Sequence, residues 1–273
     1  MAKAIYCNGR DGTKIRYEIR GDGAPLALIM GYSGSSRTWG EPFVSAIAKR
    51  FRTLLIDNRG TGESDHPDRL WTLPDMADDV AAVLDHAGID RAHVYGISMG
   101  GMIAQEFALN HPGRLRGLVL GCTNCGFAKS VLAPPEATAA LAPDPNLPMG
   151  DQARRMLEAC CNPAFVAAPA GRAIIDARIE EMTAYPATPL HTYRRQWEAI
   201  AAFDSSARLG RIQAPTMVIT GSADPIVPAA NADLLHQGIP GSKVHVIEGA
   251  GHLFFWEAPE ESAEVPGDFL ARH

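Results

Sequence analysis

Apolar positions along this chain follow two different periods, and the period switches repeatedly. LALIM at 26–30 and TLLID at 53–57 are short unbroken apolar runs, the pattern of strands buried on both faces of a parallel sheet. Between them Trp39, Phe43 and Ile47 recur at helical spacing, which makes a strand–helix–strand unit. At Thr72 the sequence Thr72-Leu73-Pro74-Asp75 resembles a capping box. Met76, Val80, Val83, Leu84 and Ala87 then share one helical stripe that Gly88 ends. HVYGI reads as a strand, Met99 to His111 as a helix stopped at Pro112, and RLRGLVLG as a strand again. Near the start, AKAIYC and TKIRYEI are separated by the turn residues Asn8-Gly9-Arg10-Asp11-Gly12, which predicts a β-hairpin.

The alternation stops after Gly121. Pro134, Pro135, Pro143, Pro145 and Pro148 crowd one stretch, and helical patterns follow near 150–161, 171–184 and 189–202 with no convincing strand. Strands resume at TMVITG (216–221) and KVHVIE (243–248), and a final helix is expected at 257–271. The fold class predicted is α/β: a mostly parallel, doubly wound sheet with an N-terminal β-hairpin and an α-helical cap insertion. Residues 1–121 and 208–273 form the core domain in this reading, and 122–207 form the cap.

Composition narrows the functions. A chain of 273 residues, 46% of them hydrophobic, can bury a sizeable core. A net charge of −6 with no basic run offers nothing for neutralising phosphates, so nucleic acid is not an expected partner. No apolar run reaches the ~18 residues of a membrane span, and MAKAIYCNGRDGTK lacks the apolar core of a secretion signal; a soluble, cytoplasmic protein is expected. Cys7, Cys122, Cys125, Cys160 and Cys161 are read as reduced thiols. Cys122 and Cys125 form a C-x-x-C without a second pair or a thioredoxin-like context, so they read as small residues after a buried strand, and no metal or organic cofactor is expected.

The stretch HVYGISMGGMIAQ puts Ser98 two residues from Gly96 and two from Gly100. It follows a strand pattern and opens a helical one, the setting of a nucleophile elbow. There a Cβ two residues away on either side would collide with the strained turn. The turn also sets the Met99 N–H at a helix N-terminus, which favours negative charge. A serine hydroxyl needs a base and a group to orient that base. His252, in the glycine-rich Glu248-Gly249-Ala250-Gly251-His252 after the last strand, is singled out. His245 lies inside a strand, His86 and His111 at helix ends, and His273 is terminal. Asp224, after the preceding strand, is the matching acid; Gly121, Cys122, Thr123 and Asn124 leave none after the earlier one. The loop Gly31-Tyr32-Ser33-Gly34-Ser35-Ser36 can supply a second oxyanion donor, best placed at the Tyr32 N–H.

With these residues in place the chain resembles the α/β-hydrolase superfamily along nearly its full length, through LIMGYSGSSRTW, LIDNRGTGESD, HVYGISMGGMIAQEFALNHPGRLRGLVL, APTMVITGSADPIVP and VIEGAGHLFFWEAPEE. It is most similar to small bacterial enzymes related to β-ketoadipate enol-lactonases, carboxylesterases and cofactor-free haloperoxidases (perhydrolases). The resemblance implies an ester or lactone hydrolase working through an acyl-enzyme. Carbon–carbon bond hydrolases and perhydrolases are rival chemistries, and a non-catalytic ligand-binding relative is a more distant one. Serine at the nucleophile position disfavours the dehalogenases and epoxide hydrolases, which use aspartate there. Met30-Gly31 replaces the usual His-Gly of the oxyanion loop, and the turn from Asp57 to Ser64 is read as a structural brace. Trp39, Met102, Met149, Met156, Phe165, Trp197 and Phe203 are candidates for apolar walls, although plain core explains each as well. Arg154, Arg155, Arg194 and Arg195 could meet a substrate carboxylate, although solvated helix faces explain them as well. The partner expected is a small-molecule ester or lactone, with homo-oligomerisation left open.

Overall fold

The computed structural model describes residues 3–185 and 188–273. Strands β1 (Ile5–Asn8), β2 (Lys14–Arg20), β3 (Ala24–Ile29), β4 (Phe51–Ile56), β5 (Ala92–Ile97), β6 (Leu115–Gly121), β7 (Thr216–Gly221) and β8 (Lys243–Ile247) form one sheet in the order β1-β2-β4-β3-β5-β6-β7-β8. The N-terminal pair is antiparallel, with Ile5 opposite Tyr17, and β2 joins β4 antiparallel; every pairing from β4 to β8 is parallel. Ala2, the first residue of the expected hairpin, lies outside the described residues, as do Pro186 and Ala187 of the expected cap.

Alternation along the strands divides the interior in two. Ala27 and Ile29 of β3 join a core under α2 (Leu73–His86) and α3 (Met99–Asn110), whereas Leu26 and Leu28 face α1 (Glu41–Ala48) on the other side. All six residues of β5 are buried, as a central parallel strand requires. Thr72 caps α2 through a reciprocal pair: its hydroxyl accepts from the Asp75 amide at 3.3 Å, and the Asp75 carboxylate accepts from the Thr72 amide at 2.7 Å.

Between β6 and β7 the described residues contain no strand, only an isolated bridge between Gly126 and Asp204. They carry α4 (Pro135–Ala139), α5 (Met149–Cys160), α6 (Pro163–Ala167), α7 (Pro169–Thr183) and α8 (Leu190–Ala201). The short helices α4 and α6 were not legible as periodic stripes; each opens with proline at its first position, where a missing N–H costs nothing. After β7 come α9 (Ala230–Gly238), α10 (Phe254–Glu257) and α11 (Pro259–Leu270); α11 is the expected last helix, and the short α10, separated from it by Ala258, was not expected. Pro266 sits inside α11 and frees the Ser262 carbonyl four residues earlier. The buried Tyr95 hydroxyl donates to that carbonyl at 3.3 Å.

Candidate active site

The candidate residues converge at the C-terminal edge of the sheet because each follows a parallel strand. Ser98 comes directly after β5 with φ 54° and ψ −123°, a left-handed conformation that costs a non-glycine residue about 1–3 kcal/mol. Close packing locks it there: a Cβ on Gly96 would lie 2.1 Å from the Gly100 carbonyl oxygen, and one on Gly100 would lie 2.1 Å from the Ile29 oxygen. The Ser98 main chain is held by its amide donating to Gly121 O at 2.8 Å and by Thr123 Oγ1 donating to its carbonyl at 2.7 Å. Its side chain opens into a cavity of about 70 Å³ whose wall also includes His252.

Asp224 follows β7 and is buried. One of its oxygens accepts the amides of Ile226 and Val227, both at 2.8 Å, and the other faces His252 Nδ1 at 2.8 Å. With both oxygens occupied, the carboxylate orients the imidazole and leaves Nε2 to face a reacting group. Burial opposes a positive charge on His252, but the Asp224 carboxylate outweighs it and holds the imidazole pKa well above the ordinary histidine value. The His252 loop is anchored twice: its amide donates to Cys160 O at 2.8 Å, and Glu257 accepts the Gly251 amide at 3.1 Å.

Opposite lies the loop after β3. The Tyr32 and Met99 amides, the expected oxyanion donors, donate to no main-chain acceptor among the described residues. Gly31 lets this loop close on the serine, since a Cβ there would lie 2.9 Å from Ser98 Cβ. The next amide, Ser33, donates to Gln196 Oε1 of α8 at 2.7 Å. From the turn after β4, Asn58 Nδ2 donates to Met30 O at 2.7 Å and Asp57 accepts the Ser36 amide at 2.8 Å, the bracing expected of this segment. Met30 lies against Gly34 and forms part of the cavity wall.

Three contributors escaped the sequence reading. Gln196 and Glu257 carried no motif. Cys122 sits at φ 37° directly after β6, and burial pushes its thiol pKa up while the nearby His252 opposes the shift. Cys122, Asp224 and His252 each present a donor atom, all within 4.8 Å of one another. The carboxylate's full set of hydrogen bonds makes the group a proton-handling arrangement before a metal one.

The expected apolar walls divide. Trp197 lines a second, outer groove and Met156 lines the inner cavity. Trp39, by contrast, is fully buried and stacked on Phe43 at 4.8 Å, a core residue behind α1. Met102 and Phe203 are buried in the core on the α2–α3 side, and Met149 is exposed at the start of α5; none of these forms part of either cavity wall. Phe165 is partly buried against the core on the α1 side and also lies outside both walls. Helical spacing marks apolar positions without telling core from pocket, and these five fall on the side of core or surface. None of the four arginines lines the inner cavity: Arg154 pairs with Asp176, Arg155 donates to Ala142 O, and Arg194, in the wall of the outer groove, and Arg195 both pair with Asp68.

One sheet edge thus carries a strained serine between strand and helix, a buried carboxylate–imidazole pair and, among the described residues, two amides without a main-chain acceptor. The family model for the alpha/beta hydrolase fold matches residues 24–259, and the chain belongs to that family. It is 32% identical over 268 residues to a putative carbamate hydrolase RutD of Azorhizobium caulinodans, covering 95% of this chain and 96% of that one. Among solved structures, an N-acyl homoserine lactone degrading enzyme is 31% identical with a TM-score of 0.80, covering 97% of this chain and 100% of that one. An esterase from a Rhodococcus species is 25% identical with a TM-score of 0.85, covering 99% of each chain. The protein is a hydrolase, and none of its helices among the described residues is long and apolar enough to cross a membrane.

Proposed function

We propose that the protein cleaves a small uncharged ester or lactone through an acyl-enzyme. The observation that carries the reading is the 2.8 Å contact between His252 Nδ1 and Asp224 beside a cavity that Ser98 and His252 share. His252 takes the Ser98 proton as Oγ attacks the carbonyl carbon, and the Tyr32 and Met99 amides receive the oxyanion. The imidazolium then protonates the leaving alkoxide, and water activated by the same histidine releases the acid. Asp224 holds the ring through Nδ1, which leaves Nε2 as the basic nitrogen. The Ser98 hydroxyl makes no hydrogen bond among the described residues, so this route requires hydroxyl and imidazole to come within hydrogen-bond reach when substrate fills the cavity.

The cavity walls argue for a neutral substrate. They include Ile97, Leu141, Met156, Leu157, Met182 and Leu253 and, among the described residues, no arginine, lysine or carboxylate. A dicarboxylic lactone would place a charge against them unpaired. The sulfur atoms of Met30, Met156, Met182 and Cys160 speak against a perhydrolase, because a peracid formed there would oxidise its own enclosure. The segment 122–207 acts as the cap over this edge, and Leu141, Met156, Leu157, Cys160 and Met182 are its share of the wall. The nearby relatives named for carbamate, lactone and ester substrates agree with acyl chemistry.

The test is p-nitrophenyl butyrate turnover by wild type and Ser98→Ala, with a fluorophosphonate probe and intact-mass measurement beside it. Wild type turns over the ester and gains one probe adduct, and the variant does neither. Equal turnover by both proteins rules out the covalent route.

A further inference from the structure

The inner cavity is too small to be the whole binding site. Its volume is about 70 Å³, whereas sites for small organic ligands usually enclose about 300–1,000 Å³. A second depression of about 430 Å³ adjoins it, and Tyr32 and Leu141 belong to the walls of both. These two residues form a neck. Beyond it the groove is walled by Pro135, Ala139, Leu190, Tyr193 and Trp197. Its one cation among the described residues, Arg194, is already engaged by Asp68 at 3.2 Å and Glu198 at 4.0 Å. Leu190 and Trp197 are 55% and 45% exposed, apolar surface left uncovered beside the site.

Resting on the hydrolase reading above, we infer that the substrate is unequal at its two ends. A small uncharged group enters the inner cavity with the scissile bond, and a long aliphatic or aromatic uncharged group passes between Tyr32 and Leu141 to lie on Tyr193 and Trp197. The continuity of the two spaces names the occupant, since whatever fills the groove touches the residue that reaches into the site. Tyr32 is held on its far side by edge contacts with Tyr193 at 5.8 Å and Trp197 at 6.2 Å, and its hydroxyl donates to Tyr193 O at 3.4 Å. Its own amide is the candidate oxyanion donor. A distal group packed on these rings therefore fixes Tyr32, and part of its binding energy appears in kcat as well as in KM.

Two matched ester series decide it: acetates of progressively longer alcohols, and methyl esters of progressively longer acids. In one series kcat/KM climbs by at least about tenfold from the shortest to the octyl or octanoyl member, with kcat contributing, and in the other it falls. Trp197→Ala and Leu141→Trp each reduce the long-to-short ratio of kcat/KM. A rise in both series, a rise in neither, or a ratio that both variants leave unchanged overturns the inference. Calorimetric titration of Ser98→Ala with the same esters separates this outcome from failure of the hydrolase reading. If wild type hydrolyses no ester, affinity that still grows with chain length, with a negative heat-capacity change, upholds the groove assignment. Affinity independent of length, or loss of the groove to a second copy on sedimentation, refutes it.

Discussion

Gly100→Ala tests how tightly the candidate nucleophile depends on one missing side chain. The new Cβ would lie 2.1 Å from the Ile29 carbonyl oxygen and 2.7 Å from that of Met30, both main-chain atoms of β3 and the loop that follows. Real Cβ contacts essentially never fall below 3.0 Å, so the start of α3 must back away from β3 by about 0.9 Å, the difference between 3.0 and 2.1 Å. Overpacking of this kind costs about 1–3 kcal/mol. Ser98 and the Met99 amide ride on the same turn, and a displacement near 1 Å costs about a hundredfold in rate. Urea unfolding gives the stability and p-nitrophenyl butyrate hydrolysis gives kcat/KM. Gly113→Ala, just beyond the far end of α3 with nothing within 4 Å of its Cβ, is the control and stays within about 0.5 kcal/mol of wild type. A Gly100→Ala protein with wild-type midpoint and rate would refute the claim that steric closure at this position holds the elbow.

Asp224→Asn removes the charge that raises the His252 pKa. In the proposed mechanism the neutral imidazole is the base, so activity is lost as pH falls through that pKa, and in wild type this acid limb is expected above the ordinary histidine range. The variant's limb moves to lower pH while kcat drops by about 10⁴; a pH–rate profile with an unmoved limb would disprove the coupling. Elsewhere, buried Arg59 grips buried Asp79 through two bonds of 2.7 and 2.8 Å. Arg59→Met strands that carboxylate and destabilises the fold by about 3–5 kcal/mol, whereas Arg59→Met/Asp79→Leu recovers most of the loss on denaturant unfolding. No recovery in the double variant would show that the ion pair stabilises beyond mutual compensation.

The order of strands and helices was readable because each period reports one local requirement. Unbroken runs such as LALIM bury both faces of a strand, stripes such as Met76–Val80–Val83 bury one face of a helix, and Gly88 and Pro112 end helices for backbone reasons. The turn at Ser98 was readable for the same cause, since the two flanking glycines answer a steric demand confined to one turn, and Asp224 and His252 were candidates because each follows a parallel strand of the same sheet. Tertiary structure alone decided what depends on residues far apart in sequence. Trp39 and Trp197 share the same chemistry, yet Trp39 is stacked on Phe43 in the interior and Trp197 stands half-exposed on a groove. Gln196 reaches the oxyanion loop, and Cys122 comes beside His252, only because α8 and β6 pack where they do. Local pattern fixes which backbone conformations are affordable, and only the packed chain fixes which surfaces meet, because contact is a property of pairs of segments that no single segment carries.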